Sequence, residues 1–252
     1  MVEGSAANTD VVRIENHAAV RVISMNRPEK MNALNTALLL GLRDALVAAD
    51  QDDSVRALVL TGEGRGFSAG ADLSEFRGEQ TPEQVKRNAL RSSLMSGLQV
   101  MLRTLSKPVV AAVHGAAIGG GASFAICCDM VVVGTNLKFG YPELKHHLTP
   151  TAVLTSLVKQ VGPKAAFEMI SLGANFTADD VMRLGLANRA VAPEAVLPTA
   201  IEIAKAWTEN DAAQLAATKN MFYRMIELPF EGGLALGKDV SAAMRARAAA
   251  AK

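Results

Sequence analysis

The sequence predicts an α/β fold that ends in a helical region, and three observations carry that prediction. Up to residue 192, short β-branched or apolar runs alternate with segments whose apolar residues recur at helical spacing. Two of the apolar runs pass directly into glycine-rich loops. Beyond Pro193 the strand pattern is absent and helical segments follow one another. The division therefore falls between a β/α part, residues 1–192, and a helical part, residues 193–252.

A chain of 252 residues buries a substantial core, as one large domain or as a domain with a helical appendage. Half the residues are apolar and the net charge is +1, so nucleic acid and anionic membrane are not expected as main partners. No run approaches the roughly 20 apolar residues of a membrane span. The opening MVEGSAANTD carries acidic residues and lacks the charged-then-apolar order of an export signal, so a cytoplasmic protein is expected. Cys127 and Cys128 are adjacent in an expected helix and point in different directions, which makes them buried thiols rather than a disulfide. With no Cys/His ligand spacing elsewhere, no metal site is expected.

Taken in order, residues 11–15 and 18–25 read as a hairpin turned at Asn16-His17, and Asn26-Arg27-Pro28 ends its second arm. Thr36 is the expected N-cap of a helix with Leu38, Leu39, Leu42, Leu46 and Val47 at helical spacing. A strand over 55–61 runs into a glycine loop, and the polar segment 74–80 is expected to be mobile. Thr81-Pro82-Glu83 starts a long helix reaching about residue 105, whose Arg87, Arg91 and Arg103 read as a solvated face. A strand over 108–113, a glycine turn, a small-residue helix over 122–128 and a strand over 130–133 come next. Residues 151–160 and 164–172 read as helices broken by Gly162-Pro163. Thr177 caps a further helix, with Asp180 in the place of a capping-box glutamate, and 186–191 is a short strand. Helices over 195–208, 212–226 and 231–250 complete the chain, and no internal repeat is evident.

Two stretches carry chemistry. In KPVVAAVHGAAIGGGASFAICCDMVVVGTNLKFGYPE, residues 107–143, a strand leads through Gly119-Gly120-Gly121 into a helix start. That order aims unpaired N–H groups at a pocket, and the glycines let a ligand approach the backbone. Glu143 follows as a lone carboxylate, and donors opposite a carboxylate point to proton chemistry beside a stabilised oxyanion. Alone, this stretch reads more readily as an ordinary glycine turn. The second stretch is ALVLTGEGRGFSAGADL, residues 57–73.

With Asn26-Arg27-Pro28-Glu29-Lys30-Met31-Asn32-Ala33-Leu34, Cys128-Asp129, FGYPE and Gly185-Leu186-Ala187, these stretches resemble the crotonase superfamily, the enoyl-CoA hydratase/isomerase family, over nearly the whole chain. The resemblance implies a crotonase-like β/α spiral core with a C-terminal helical trimerisation region, and a homotrimer or hexamer. It implies an acyl-CoA thioester as substrate, with coenzyme A entering as part of the substrate and no separate cofactor. By match of motif, the backbone N–H groups of Ala71 and Gly120 form the oxyanion hole, and Glu143 is the acid/base. Loss of a proton alpha to a thioester leaves an enolate, and one fixed donor to such a charge is typically worth about 3–4 kcal/mol. The same match brings coenzyme A near Ala69, Ala71, Asp72, Leu73 and Ser74. Arg27 and Lys30 offer cations to its phosphates, with plain surface charge as the alternative. Asp72 either binds or orders its own loop.

One departure bears on the reaction. Family hydratases use a second glutamate in the helix after the triple glycine, and that position is Ser123. A serine orients water but is no base near neutral pH, and losing one acid/base group typically costs about 10²- to 10⁴-fold. A double-bond shift needs one base, so an enoyl-CoA isomerase is expected. The alternatives are a hydratase of unusual range, with Ser123 and a histidine sharing the water, and a catalytically quiet CoA-ester-binding subunit. After Glu143 the family's glycines give way to bulkier residues over 144–154, which reshape the acyl pocket. His146 and His147 read as solvated rather than catalytic, and Tyr141 as packing rather than a pocket hydroxyl.

Overall fold

The computed structural model describes residues 10–76 and 81–250. A six-stranded sheet forms its centre, in the order β1-β2-β3-β4-β6-β9. Its strands are β1 (Val12–His17), β2 (Val20–Met25), β3 (Ala57–Gly62), β4 (Val109–Val113), β6 (Met130–Gly134) and β9 (Arg189–Val191). Only β1 and β2 pair antiparallel; the other neighbours are parallel. A second, three-stranded sheet joins β5 (Ala116–Ile118), β7 (Lys138–Gly140) and β8 (Asn175–Phe176). This small sheet has no counterpart in the sequence reading.

The central strands are buried on both faces, which is why they appear in the sequence as unbroken apolar runs. Alternate residues divide between two cores. Ile23, Met25, Leu58, Leu60, Val109, Ala111 and Val113 share one core with α1 (Thr36–Gln51), α2 (Pro82–Thr104), α3 (Gly120–Cys127), α4 (Thr151–Leu172) and α5 (Ala178–Arg183). Val20, Val22, Ala57, Val59, Val110, Ala112 and Val132 face the other way, where Val196, Ala200 and Ala204 of α6 (Val196–Thr208) cover them. The apolar stripe of α6 is thus satisfied within the chain. Helix α4 carries its expected break, with Gly162 at φ 76 and ψ 172 ahead of Pro163. The Thr177–Asp180 capping box is formed at α5, and both cysteines are free and buried.

Local expectations are corrected at three places. The hairpin turns at Ala18-Ala19 rather than Asn16-His17. Asn16 stays extended, accepting from Arg21 Nε at 2.9 Å across the pair, while Ala18 takes a positive φ of 53. The N-cap of α1 is Asn35, whose side chain accepts from the Leu38 N–H at 2.9 Å. Thr36 instead gives its N–H and hydroxyl to the Glu75 carboxylate. Of the arginines on α2, only Arg87 is exposed. Arg91 is buried over the Phe76 ring, and Arg103 lies over Tyr223. In the polar segment 74–80, residues 74–76 belong to a 3-10 turn (Leu73–Phe76) and residues 77–80 lie outside the described residues.

Helix α7 (Ala212–Met225) is fastened to the core by one buried ammonium. Lys219 Nζ donates to the Leu102 carbonyl at 2.9 Å, the Lys107 carbonyl at 3.0 Å and Asp129 Oδ2 at 2.8 Å. Asp129 Oδ2 also accepts the Val109 N–H at 2.6 Å, so the ion pair reaches the start of β4. Helix α8 (Phe230–Ala250) packs on α7, and the two leave Phe222, Ile226, Phe230 and Leu234 exposed. Among the described residues no helix is long and apolar enough to cross a membrane.

Removing one partner of a buried ion pair strands the other charge. Lys219→Met is expected to lose about 3–5 kcal/mol of stability in urea unfolding. Adding Asp129→Asn in that background should recover part of the loss, because the stranded charge is gone while the Val109 N–H keeps an acceptor. A loss under roughly 1 kcal/mol in the single variant, the level of an exposed pair, would contradict this anchoring role.

Candidate active site

The loop before Asp72 is held between two stretches of backbone. Ser68 donates to the Ala116 carbonyl and accepts from Ile118, both at 2.9 Å, while Leu34 donates to the Gly70 carbonyl at 2.7 Å and accepts from Asp72 at 3.2 Å. Buried Asn32, at φ 54, locks the inner turn by donating to the carbonyls of Glu63 and Gly66, each at 2.9 Å. Ser68 Oγ in turn donates to the Asn32 carbonyl at 2.8 Å. Gly70 sits at φ 82, with the Ile118 carbonyl oxygen only 2.6 Å from where a Cβ would stand. This lattice fixes Ala71 and leaves its N–H without a partner among the described residues.

Gly120 is the first residue of α3, so its N–H has no carbonyl within the helix to meet and finds no other among the described residues. The preceding Gly119 donates to the Gly140 carbonyl at 2.8 Å, which ties the helix start to the strand leading into Tyr141, Pro142 and Glu143. A Cβ at Gly119 would lie 2.7 Å from Glu143 Oε1, and its φ of 52 with ψ of −119 is a conformation for glycine. Ala71, Gly120 and Glu143 line one cavity of about 190 Å³. Two free amide donors and a carboxylate therefore share one small space.

Glu143 is half-buried, and its Oε2 is buried without a hydrogen-bond partner. Burial pushes its carboxyl above the usual value, opposed by its own backbone N–H and the charge of His146. Tyr141 is fully buried, edge-on to Phe139 with ring centroids 5.7 Å apart, and burial drives its hydroxyl far above its ordinary value. Ser123 is also fully buried and is not among the residues lining the cavity. It lies near enough to Tyr141 to offset part of that rise, yet neither hydroxyl completes a hydrogen bond.

The other expected substrate-binding residues are dispersed. Arg27 Nη1 bonds the Ala33 carbonyl and pairs with Asp72 Oδ2 at 2.9 Å, so this cation braces the loop. Asp72 Oδ1 takes the Ser74 N–H and hydroxyl. Against the upward push of burial, Ser74 and Arg27 hold its carboxyl below the usual value. Of its two expected roles, ordering the loop is the one observed. Ala69 donates to the Met31 carbonyl at 2.8 Å, while Lys30, Leu73 and Ser74 are exposed. His146 and His147 are exposed and do not line the cavity. Leu148, Pro150 and Val153 do line it, as do Phe76, Asn88, Arg91, Ser92 and Met95, which the sequence reading missed. The spacing of the last four over α2 was a legible signal: 88, 91, 92 and 95 share one helical face. No cluster of three or more His, Cys, Asp or Glu with metal-binding geometry occurs among the described residues.

A sequence profile described as enoyl-CoA hydratase/isomerase matches residues 15–250. Crotonyl-CoA hydratase of Syntrophomonas wolfei is 37% identical over 193 residues, covering 76% of this chain and 73% of that protein. Among solved structures, an enoyl-CoA hydratase from Bacillus anthracis aligns with a TM-score of 0.86 at 28% identity, over 92% of this chain and 90% of that one. A monofunctional enoyl CoA isomerase from M. smegmatis aligns with a TM-score of 0.76 at 29% identity, over 90% and 99%. The β/α core followed by helices, expected from the resemblance, is the fold these structures share with this chain.

The raised Glu143 carboxyl has a consequence for stability. The native state holds that proton more tightly than the unfolded chain, so the gain is full below the unfolded value and is lost as pH rises through the folded one. Glu143→Gln is therefore expected to melt at a higher temperature than the wild type at about pH 8, with the difference shrinking toward about pH 4. A difference that stays constant across this range in a thermal-melt series would contradict the assignment.

Proposed function

The chain belongs to the enoyl-CoA hydratase/isomerase family, and from that premise we propose that it moves a double bond from C3 to C2 of an enoyl-CoA with Glu143 as its one acid/base group. The observation that carries this reading is the composition of the cavity. Glu143 is the only carboxylate among the described residues that line it, and it shares the space with the free N–H groups of Ala71 and Gly120.

In this reading the thioester carbonyl accepts from both amides. Glu143 takes a proton from C2 of the 3-enoyl chain, and the electron pair spreads over the dienolate to the carbonyl oxygen, where the two donors stabilise it. The same carboxyl then delivers the proton to C4, leaving the double bond at C2 and Glu143 ionised again. Burial suits the shuttle, because a carboxyl with a raised pKa holds the proton better between the two steps. Coenzyme A arrives as part of the substrate, along Ala69, Asp72, Leu73 and Ser74, with exposed Lys30 available to its phosphates. Arg27 contributes by bracing Asp72 rather than by meeting phosphate.

Hydration of a 2-enoyl-CoA is the second reading, and the names of the relatives from S. wolfei and B. anthracis favour it. Water addition requires a group that positions the nucleophile as well as a carboxyl that handles protons. Ser123, the residue at that helix position, is fully buried and is not among the residues lining the cavity. That supports the isomerase reading, as does the likeness to the M. smegmatis isomerase.

Assembly belongs to the same proposal. With the α6 stripe covered by the sheet, exposed apolar surface remains around α7 and α8, at Phe222, Ile226, Phe230 and Leu234, and also at Val100 of α2 and Phe167 and Leu172 of α4. A homotrimer, or two trimers paired into a hexamer, covers it economically.

Products formed from paired 2- and 3-enoyl-CoA esters, identified by mass and chromatography, test the chemistry. Glu143→Gln is expected to abolish turnover. Ser123→Ala should leave isomerisation within about threefold, under roughly 1 kcal/mol of barrier. Rapid hydration by the wild type, lost in Ser123→Ala, would overturn the isomerase reading. For assembly, light scattering at micromolar concentration should return a trimer or hexamer, and a monomer would remove that part.

A further inference from the structure

We propose that the cavity receives an acyl chain that ends in a carboxylate, seated on Arg91. The proposal rests on the reading that this cavity holds a CoA ester, and it goes beyond that reading by specifying the far end of the acyl group.

Arg91 lines the same cavity as Ala71, Gly120 and Glu143, and it is the only cation among the described residues that do so. It is 5% exposed, yet its Nε and Nη1 have no hydrogen-bond partner among the described residues. A guanidinium cannot shed its charge, so buried donors without acceptors are costly unless a ligand meets them. The Phe76 ring, 4.0 Å from the guanidinium carbon, covers one face of the group and leaves its edge for an acceptor. Glu75 Oε2 pairs with the guanidinium charge at 3.5 Å from Nε but completes no hydrogen bond to it, and its carboxylate oxygens accept from the N–H and hydroxyl of Thr36.

Helix α2 sets the spacing. Met95 approaches the oxyanion end, since its Cε lies 2.7 Å from where a Cβ on Gly120 would stand. Arg91 is four residues earlier on the same face, about 6 Å along the axis, with Asn88 and Ser92 as polar neighbours. A thioester held at Ala71 and Gly120 thus extends past apolar Met95 toward a buried cation. A methyl-ended chain leaves its Nε and Nη1 without acceptors, whereas a carboxylate forms charge-assisted hydrogen bonds with them.

Binding of saturated CoA esters, which have no double bond to move or hydrate, tests this separately from the reaction. Isothermal titration should compare glutaryl- and adipyl-CoA with valeryl- and hexanoyl-CoA, with free coenzyme A as reference. The wild type is expected to bind at least one carboxylate-ended ester about tenfold or more tightly than its methyl-ended counterpart. Arg91→Met should erase that preference while leaving the methyl-ended esters within about threefold, and Arg91→Lys should keep part of it. Equal affinity for the two series in the wild type would overturn the proposal without recourse to a variant. So would an Arg91→Met effect that weakens both series and free coenzyme A alike, since the arginine would then serve the CoA moiety. Failure of every ester to bind would instead bring down the CoA-ester reading, and this proposal with it.

Discussion

The approach of the Glu143 carboxylate to the backbone at Gly119 constrains more of this structure than any other contact. Oxygen and backbone come so close that a single methyl at position 119 would stand 2.7 Å from the carboxylate oxygen. The closeness also sets the chemistry, because a carboxyl pressed against a helix start and half-removed from water has its proton affinity set by that burial. Around it, the Gly119 N–H bonds the Gly140 carbonyl, so the small sheet, the start of α3 and the turn carrying Glu143 form one mechanical unit. The Ala71 loop joins the same unit through its bonds to Ala116 and Ile118. Two amide donors from distant parts of the chain are thereby held in register without any side chain spanning them. Such fixed dipoles stabilise developing charge without reorganising when it appears.

This rigidity is supplied from below by a sheet whose central strands offer nothing to solvent. Parallel strands buried on both faces need cover on each side, which α1 to α5 provide on one face and α6 on the other. Helix α7 makes no comparable apolar seal over the sheet. It is held by the Lys219–Asp129 pair, whose value is geometric because burying an ion pair returns little net stability. The ammonium also satisfies two carbonyls at the edges of α2 and β4, so one cation settles several backbone groups that would otherwise be stranded.

What the sequence made legible was whatever is encoded in short, contiguous runs. The glycine loops and Pro142-Glu143 marked the three residues that the fold brings to one cavity, because backbone conformations that only glycine tolerates leave a mark in the sequence. The central strands were legible for the same local reason. Interactions made by residues far apart were not. Asn35 and Thr36 are both good caps, and the choice between them is made by Glu75, which arrives from 39 residues away to take the Thr36 N–H and hydroxyl. The hairpin turn moved because Asn16 found a partner in Arg21 across the strands. Strand β5 is three residues between glycines, too short for alternation to register. Arg91 resembles Arg87 in sequence, since a buried and a solvated arginine on one helix differ only in what folds over them.

The charge inventory around the base follows from these placements. Ser123 and Tyr141 keep the region behind Glu143 polar, but both are uncharged at any pH the protein meets, since burial leaves the tyrosine protonated and a serine has nothing to give up. Neither hydroxyl completes a hydrogen bond, so the region is polar without being a relay. His146, the other titratable group acting on Glu143, is exposed and acts on it through its charge. Under the proposed function, proton traffic at the cavity therefore has one carrier. A reaction that removes a proton and returns the same proton elsewhere on the substrate closes its cycle with one carrier. Adding water also returns to carbon the proton it takes, but it needs in addition a group that aims the nucleophile. The single carboxylate and a buried serine outside the cavity lining thus argue in the same direction.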